Sequence, residues 1–357
     1  MTPKEALEKT RESKLLSLQD YDVIQPIDGQ GGWARVDTAA TLTDYDKTYP
    51  DRLKESLGLE LVIVRSKELI FEIGKVEEKE AEKIADMWID EAKEVINVTR
   101  EDVVKSAELY VAYKELMKKY EANAITICSW GLIPDGVIKA MPPLAEMELA
   151  KELIPCCCES LIDCLVTQMI GTYISGRPSF VGDQVSSWGG LRREDAVREL
   201  PENYVAIGHC YGPINPHGND RVDYVIRDHA YYELGWGRTD DPRVLWRKEE
   251  HLKANEQLKK ENITLVGIRV EWPIDEVVSI VKFDPYNKKA HVFTGRTFDP
   301  HPFFEDFDNT KCRTKMAIKT DIPFRNRVGG HLVAFYGNLK EDIKDFAQLV
   351  GFDLIEE

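Results

Sequence analysis

Residues 155–183, PCCCESLIDCLVTQMIGTYISGRPSFVGD, hold two short apolar runs that each end on an acid, with a helical pattern between them. The run IPCCCE (154–159) reads as a strand ending on Glu159. Ser160-Leu-Ile-Asp163 reads as a capping box that opens a helix with Leu161, Leu165, Met169 and Tyr173 inward. Gly176-Arg-Pro178 stops that helix, PSFVGD ends on Asp183, and a further strand, NYVAIGH, ends on His209. Strand, helix and strand in alternation predict a parallel sheet covered by helices. In such sheets ligands collect beyond the carboxyl ends of the strands, so Glu159, Asp183 and His209 are expected at successive strand ends of one sheet.

The same alternation extends upstream. LELVIVRS (59–66) reads as a strand, and Lys79 to Val95 places Ala81, Ile84, Ala85, Trp88 and Ala92 on one helical face. Thr99-Arg-Glu-Asp102 is a capping box for a second helix, followed by strand AITICSW (124–130), the loop IPDG and a helix from Pro143 to Leu153. Residues 1–58 lack periodicity and read as a loop-rich leading segment; their GQGGW run has neither the spacing nor the preceding strand of a dinucleotide site. Beyond His209 the texture changes. A polar segment (211–245) and a charged helical stretch lead to GIRVEW, EVVSIVKFD, KKAHVFTGRTF, KCRTKMAIKT and HLVAFYG, β-rich runs without intervening helices. A terminal amphipathic helix stops at Gly351. The expected organisation is therefore α/β: a leading segment (1–58), a Rossmann-like α/β domain carrying the two carboxylates (59–210), and a mostly antiparallel β-barrel domain with a terminal helix (211–357).

Composition narrows the function. The chain has 357 residues, 47 basic and 63 acidic side chains, and a formal net charge of −16, which repels nucleic-acid phosphates and anionic lipid. No apolar run is long enough to cross a bilayer, and the N-terminus lacks the apolar core of a secretion signal. Seven cysteines, an odd number that includes Cys156, Cys157 and Cys158 in an apolar run, read as buried reduced thiols of a cytoplasmic protein.

Glu159 alone is equally well read as an acid placed at a helix N-terminus, and Asp183 alone as a loop-capping aspartate. Together they are more informative, because two carboxylates at neighbouring strand ends repel unless a cation or a shared proton compensates. Oxygen ligands with an imidazole suit Mn²⁺ or Mg²⁺. The three adjacent cysteines alternate in direction along a strand and cannot converge on one zinc; they read as core packing. Among the histidines, His217, His251 and His291 read as surface residues, and His229 and His301 stay open. His331, after Gly329-Gly330, opens a strand, yet spacing alone ranks His209 above it.

AITICSW, the 155–184 block, IGHC (207–210), CRT (312–314) and the terminal GGHLVAFYGN, in that order, resemble the L-fucose isomerase and L-arabinose isomerase superfamily over roughly residues 59–357. The resemblance implies a Mn²⁺ ion, or another divalent cation such as Mg²⁺ or Co²⁺, held by Glu159, Asp183 and His331. It carries His209 over as a fourth ligand or a substrate contact. It implies aldose–ketose interconversion of a pentose, 6-deoxyhexose or related sugar through an enediol, with Glu159 and Asp183 as the proton-transferring pair and Trp130 as a residue that could stack on the sugar or simply pack the core. Relatives assemble as trimers or hexamers, so a homo-oligomer is expected, with a small sugar as partner and neither nucleic acid nor membrane. They also carry a longer N-terminal region than the 58 residues found here. Two competing expectations follow: a sugar-binding or regulatory protein that keeps the metal site, or another metal-dependent carbonyl reaction such as aldol cleavage.

Overall fold

In the computed structural model the chain starts with α1 (Pro3–Arg11), held by a Thr2/Glu5 capping box with Pro3 in its first turn, and continues into β1 (Lys14–Leu18). The structure describes residues 1–20, 49–133, 136–185, 187–188, 198–199, 203–229, 253, 256–299, 314–321 and 331–356. There follow α2 (Tyr49–Leu57), β2 (Glu60–Val64), α3 (Ser66–Ile73), α4 (Glu78–Glu91), β3 (Glu94–Ile96) and α5 (Arg100–Tyr120). Next come β4 (Ala124–Ile127), α6 (Ser129–Leu132), α7 (Pro143–Lys151), β5 (Cys156–Cys158) and α8 (Ile162–Ser175). The expected Thr99/Asp102 capping box opens α5, and α8 ends at Gly176 in the left-handed conformation.

β1, β2, β4 and β5 form a four-stranded parallel sheet in the order β2-β1-β4-β5. Strands β4 and β5 are buried throughout and β1 at all but its first residue, as a sheet covered on both faces requires. Alternate residues serve opposite cores. Leu16, Ile125, Cys156 and Cys158 pack with Trp88, Val103 and Leu144 from α4, α5 and α7, whereas Leu15, Ala124 and Cys157 pack with Leu165 and Met169 of α8. The leading segment thus differs from expectation: residues 3–18 supply a helix and a central strand of this sheet. Short run length hid β1, since KLLSL is too brief to show a period beside the polar helix before it. The GQGGW run lies outside the described residues.

The second half contains β6 (Phe180–Val185), β7 (Ser187–Trp188), β8 (Arg198–Glu199), β9 (Tyr204–His209), β10 (Tyr224–Asp228) and β11 (Val266–Val270). These are followed by β12 (Val277–Asp284), β13 (Lys289–Thr297), β14 (Thr314–Thr320), β15 (His331–Tyr336), α9 (Lys340–Val350) and β16 (Asp353–Glu356). Strands β12-β15-β6-β9-β14-β13 pair antiparallel in that order, and the β12–β13 pairing closes them into a six-stranded barrel. Phe180, Ile207, Ile280, Phe293, Met316 and Leu332 fill a barrel core of their own. The expected barrel is present, with two differences. GIRVEW becomes β11, which pairs with β10 in a separate three-stranded sheet of order β11-β10-β3, and the barrel draws β6 and β9 from before residue 210. Asp183 and His209 therefore belong to antiparallel barrel strands and not to the parallel sheet that carries Glu159. A strand of six residues after a helix looks the same in sequence whichever sheet receives it.

The two sheets meet across α8. Val181, Val281, Val333 and Phe335 on one side of the barrel pack against Leu165, Val166 and Ile170. Gly171 permits the close approach: a Cβ there would stand 2.2 Å from Phe335 Cζ, inside a ring that is fully buried. Gly171→Ala should destabilise the protein by about 1–3 kcal/mol, read as a lower urea midpoint at unchanged slope. An unchanged midpoint would mean that α8 and β15 have slack. No helix among the described residues is long and apolar enough to cross a membrane.

Candidate metal centre

Glu159 leaves β5 in the left-handed region, φ +73°, and Ser160 follows at φ +54°. Each non-glycine residue in that conformation costs roughly 1–3 kcal/mol, and such strain collects where a side chain must be aimed. The Ser160 N–H donates to the Ile127 carbonyl at 3.1 Å, which ties the turn to the adjacent strand. The chain thus lifts the Glu159 carboxylate off the C-terminal edge of the parallel sheet. The predicted Ser160–Asp163 capping box does not form. α8 begins at Ile162 with Leu161 before it and no side-chain cap, because Asp163 is occupied elsewhere: it accepts from the Cys164 N–H and pairs with Lys282.

The barrel brings the other candidate ligands by register. His331, first residue of β15, pairs directly with Asp183 of β6, and Asp183 pairs with Gly208 of β9, so Asp183 and His331 share one face. Gly182 allows this packing, since a Cβ there would meet the Gly208 carbonyl oxygen at 2.8 Å. The outcome is compact. His331 Nε2 lies 3.3 Å from Glu159 Oε2 and 3.3 Å from Asp183 Oδ1, and His209 Nε2 lies 3.8 Å from Glu159 Oε1. The two imidazole rings stand 5.9 Å apart. His331 is fully buried and Glu159 and His209 nearly so, while the Asp183 side chain keeps 17% of its surface exposed.

These spacings suit a cation better than a hydrogen bond. A charged N–H···O bond is about 2.7–2.9 Å long, and one N–H cannot point at two carboxylates. Donors about 2.1 Å from one ion and at right angles to each other stand roughly 3 Å apart, near the 3.3 Å observed on both sides of His331. Two carboxylates and an imidazole are a hard, oxygen-rich donor set.

Electrostatics extend the site inward. Burial alone would hold the His209 imidazole down, but Cys210, Glu159 and Asp183 around it outweigh burial and raise its pKa. Burial likewise pushes the Cys210 thiol up, yet hydrogen bonding with Cys158 and the His209 and His229 rings bring it well below the ordinary thiol value. Burial of Glu146, with Cys210 and Glu159 nearby, pushes its carboxyl well above the carboxylate range.

The structure brings Glu159, Asp183, His331 and His209 together. Trp130 belongs to α6, beyond the end of β4, and its side chain lies outside the described residues, as do His251, His301, Gly329 and Gly330. His291, expected on the surface, is buried, and His217 is half-buried between Asp220 and Glu276 at 2.6 and 2.7 Å. Sequence reading missed Lys282, which is buried, pairs with Asp163 at 2.9 Å and donates to the His331 carbonyl at 3.1 Å. The signal was there: a lone lysine within the apolar run VVSIVKF needs a buried acid. No family model and no curated protein matches the chain.

Proposed function

We propose that the chain is a metal-dependent aldose–ketose isomerase, with Glu159, Asp183 and His331 as the metal-holding set. The observation that carries this reading is the position of His331 Nε2, 3.3 Å from two carboxylates delivered by two different sheets. Mn²⁺ is the ion we assign, with Mg²⁺ or Co²⁺ as the next choices for such donors. When bound, the ion polarises the carbonyl of an open-chain sugar and offsets negative charge that develops on its oxygens.

The chain's own residues then supply the proton chemistry. One carboxylate of the Glu159/Asp183 pair takes the proton from the carbon beside the aldose carbonyl and returns it to the former carbonyl carbon. The other moves a proton between the two oxygens, so the sugar passes through an enediol and leaves as a ketose with no net loss of atoms. Glu159, buried and held by a fixed turn, suits the carbon proton; Asp183, the more exposed, suits the oxygens. The buried His331 contributes orientation and no water path. We read the parallel sheet as Rossmann-like and the active form as a cytoplasmic homo-oligomer, a trimer or hexamer. His209 serves as an additional ligand or substrate contact only if it turns from the cysteines beside it.

Incubation of Mn²⁺-loaded protein with a panel of pentoses and 6-deoxyhexoses in D₂O tests the proposal. At least one aldose should yield its ketose with solvent deuterium on the transferred position. Sugar binding without ketose or exchange would replace this reading with a binding or regulatory protein. Carbon–carbon cleavage products would replace it with an aldol reaction.

A further inference from the structure

Beside His209 a second group of potential ligands meets where the parallel sheet touches the barrel. Cys158 is the last residue of β5, and Cys210 follows the last residue of β9. His209 Nδ1 lies 3.3 Å from Cys210 Sγ and 3.7 Å from Cys158 Sγ, the latter also 3.3 Å from Nε2. One ligand atom from each of Cys158, His209 and Cys210 falls within 4.8 Å of the others, and all three residues are buried.

We propose that Cys158, Cys210 and His209 form a second metal site, for a thiophilic ion such as Zn²⁺, separate from the carboxylate centre. In tetrahedral zinc sites, Zn–N of about 2.0–2.1 Å and Zn–S of about 2.3 Å place nitrogen and sulfur roughly 3.5 Å apart, between the two Nδ1–Sγ distances found here. His229 is the candidate for a fourth donor: it is 2% exposed, its ring is among the groups that bring the Cys210 thiol down, and its Nδ1 has no hydrogen-bond partner among the described residues. Neither carboxyl oxygen of the buried Glu146 has a hydrogen-bond partner among them either.

The neighbouring cysteines show the contrast. Cys156 donates to the Glu146 carbonyl at 3.2 Å, and Cys157 to the Leu161 carbonyl and the Thr126 hydroxyl at 3.6 Å, as packed core thiols do. Cys158 and Cys210 instead share one imidazole. The alternation that separates Cys156, Cys157 and Cys158 in direction also leaves Cys158 free to meet a cysteine from the other sheet. Metal binding forms two metal–sulfur bonds and at least one metal–nitrogen bond and releases to solvent whatever protons the two sulfurs and the ligating imidazole nitrogen hold, without change of oxidation state. Two thiolates with imidazole select Zn²⁺ over Mn²⁺, so the two centres are chemically distinct although both border the His209 ring, whose Nε2 lies 3.3 Å from Cys158 Sγ and 3.8 Å from Glu159 Oε1.

Co²⁺ titration of the reduced, metal-stripped full chain tests this. One equivalent should produce a thiolate-to-cobalt charge-transfer band. The band should vanish in Cys158→Ser and Cys210→Ser and persist in Cys157→Ser, Glu159→Gln and Asp183→Asn. Absence of the band in the wild-type chain, or its survival in both Cys158→Ser and Cys210→Ser, overturns the proposal. Should those variants fail to fold, X-ray absorption of the Zn²⁺-loaded wild-type chain decides: sulfur at about 2.3 Å supports the site, and a shell of nitrogen and oxygen only overturns it. Neither readout involves a sugar, so the site and the isomerase reading stand or fall separately.

Discussion

Glu159→Gln should lower turnover of the responsive aldose by about 10²–10⁴-fold at saturating metal, the usual contribution of a positioned acid–base group. The amide keeps the size of the side chain and an oxygen that can still face a cation, but it cannot accept a proton from carbon. The backbone should hold its place, since the left-handed turn at Glu159 and Ser160 is fixed by the Ser160 N–H to Ile127 carbonyl bond and not by the carboxylate. Initial rates of ketose formation, with circular dichroism to confirm folding, read the effect. A turnover within a few-fold of wild type would remove Glu159 from the proton path.

Asp163→Ala should cost about 3–5 kcal/mol of stability, because it leaves the Lys282 ammonium in the interior without its carboxylate. Both side chains are nearly inaccessible, 2% and 1% exposed, and their charged atoms are 2.9 Å apart. Lys282 also donates to the His331 carbonyl, so the loss should weaken metal retention as well as folding. Urea unfolding measures the first effect. The paired replacement Asp163→Leu with Lys282→Met should recover most of the stability, since exchanging a buried ion pair for apolar volume is often neutral or favourable. A single-variant loss below about 1 kcal/mol would show that water reaches the lysine.

The helices and the barrel were legible because their signals are local. Thr99 with Asp102 reports a cap, Gly176 and Gly351 report stops, and VVSIVKFD and HLVAFYG carry enough β-branched and aromatic residues to declare strands. Assignment of strands to sheets was not legible. FVGDQV and YVAIGH look like further parallel strands after α8, and only pairing with β15 and β14, more than a hundred residues later, places them in the barrel. The same non-local pairing explains the site. Asp183 and His331 meet through antiparallel register, not through adjacent βαβ units, so the residues come together by a geometry other than the one expected. It also explains why His209 outranked His331 on spacing, and why the meeting of Cys158 with Cys210 had no sequence signature: the two cysteines come from strands of different sheets.

Metal binding separates the roles of the two histidines most directly. His331 touches both carboxylates at 3.3 Å, whereas His209 approaches only Glu159, at 3.8 Å, and otherwise faces sulfur. Mn²⁺ affinity should therefore be measured by electron paramagnetic resonance on the wild-type chain, His331→Ala and His209→Ala. The assigned site requires one Mn²⁺ per wild-type chain, about a 10–100-fold or greater weakening in His331→Ala, and a smaller change in His209→Ala. Wild-type affinity retained in His331→Ala would contradict the assignment of Glu159, Asp183 and His331 as the metal centre.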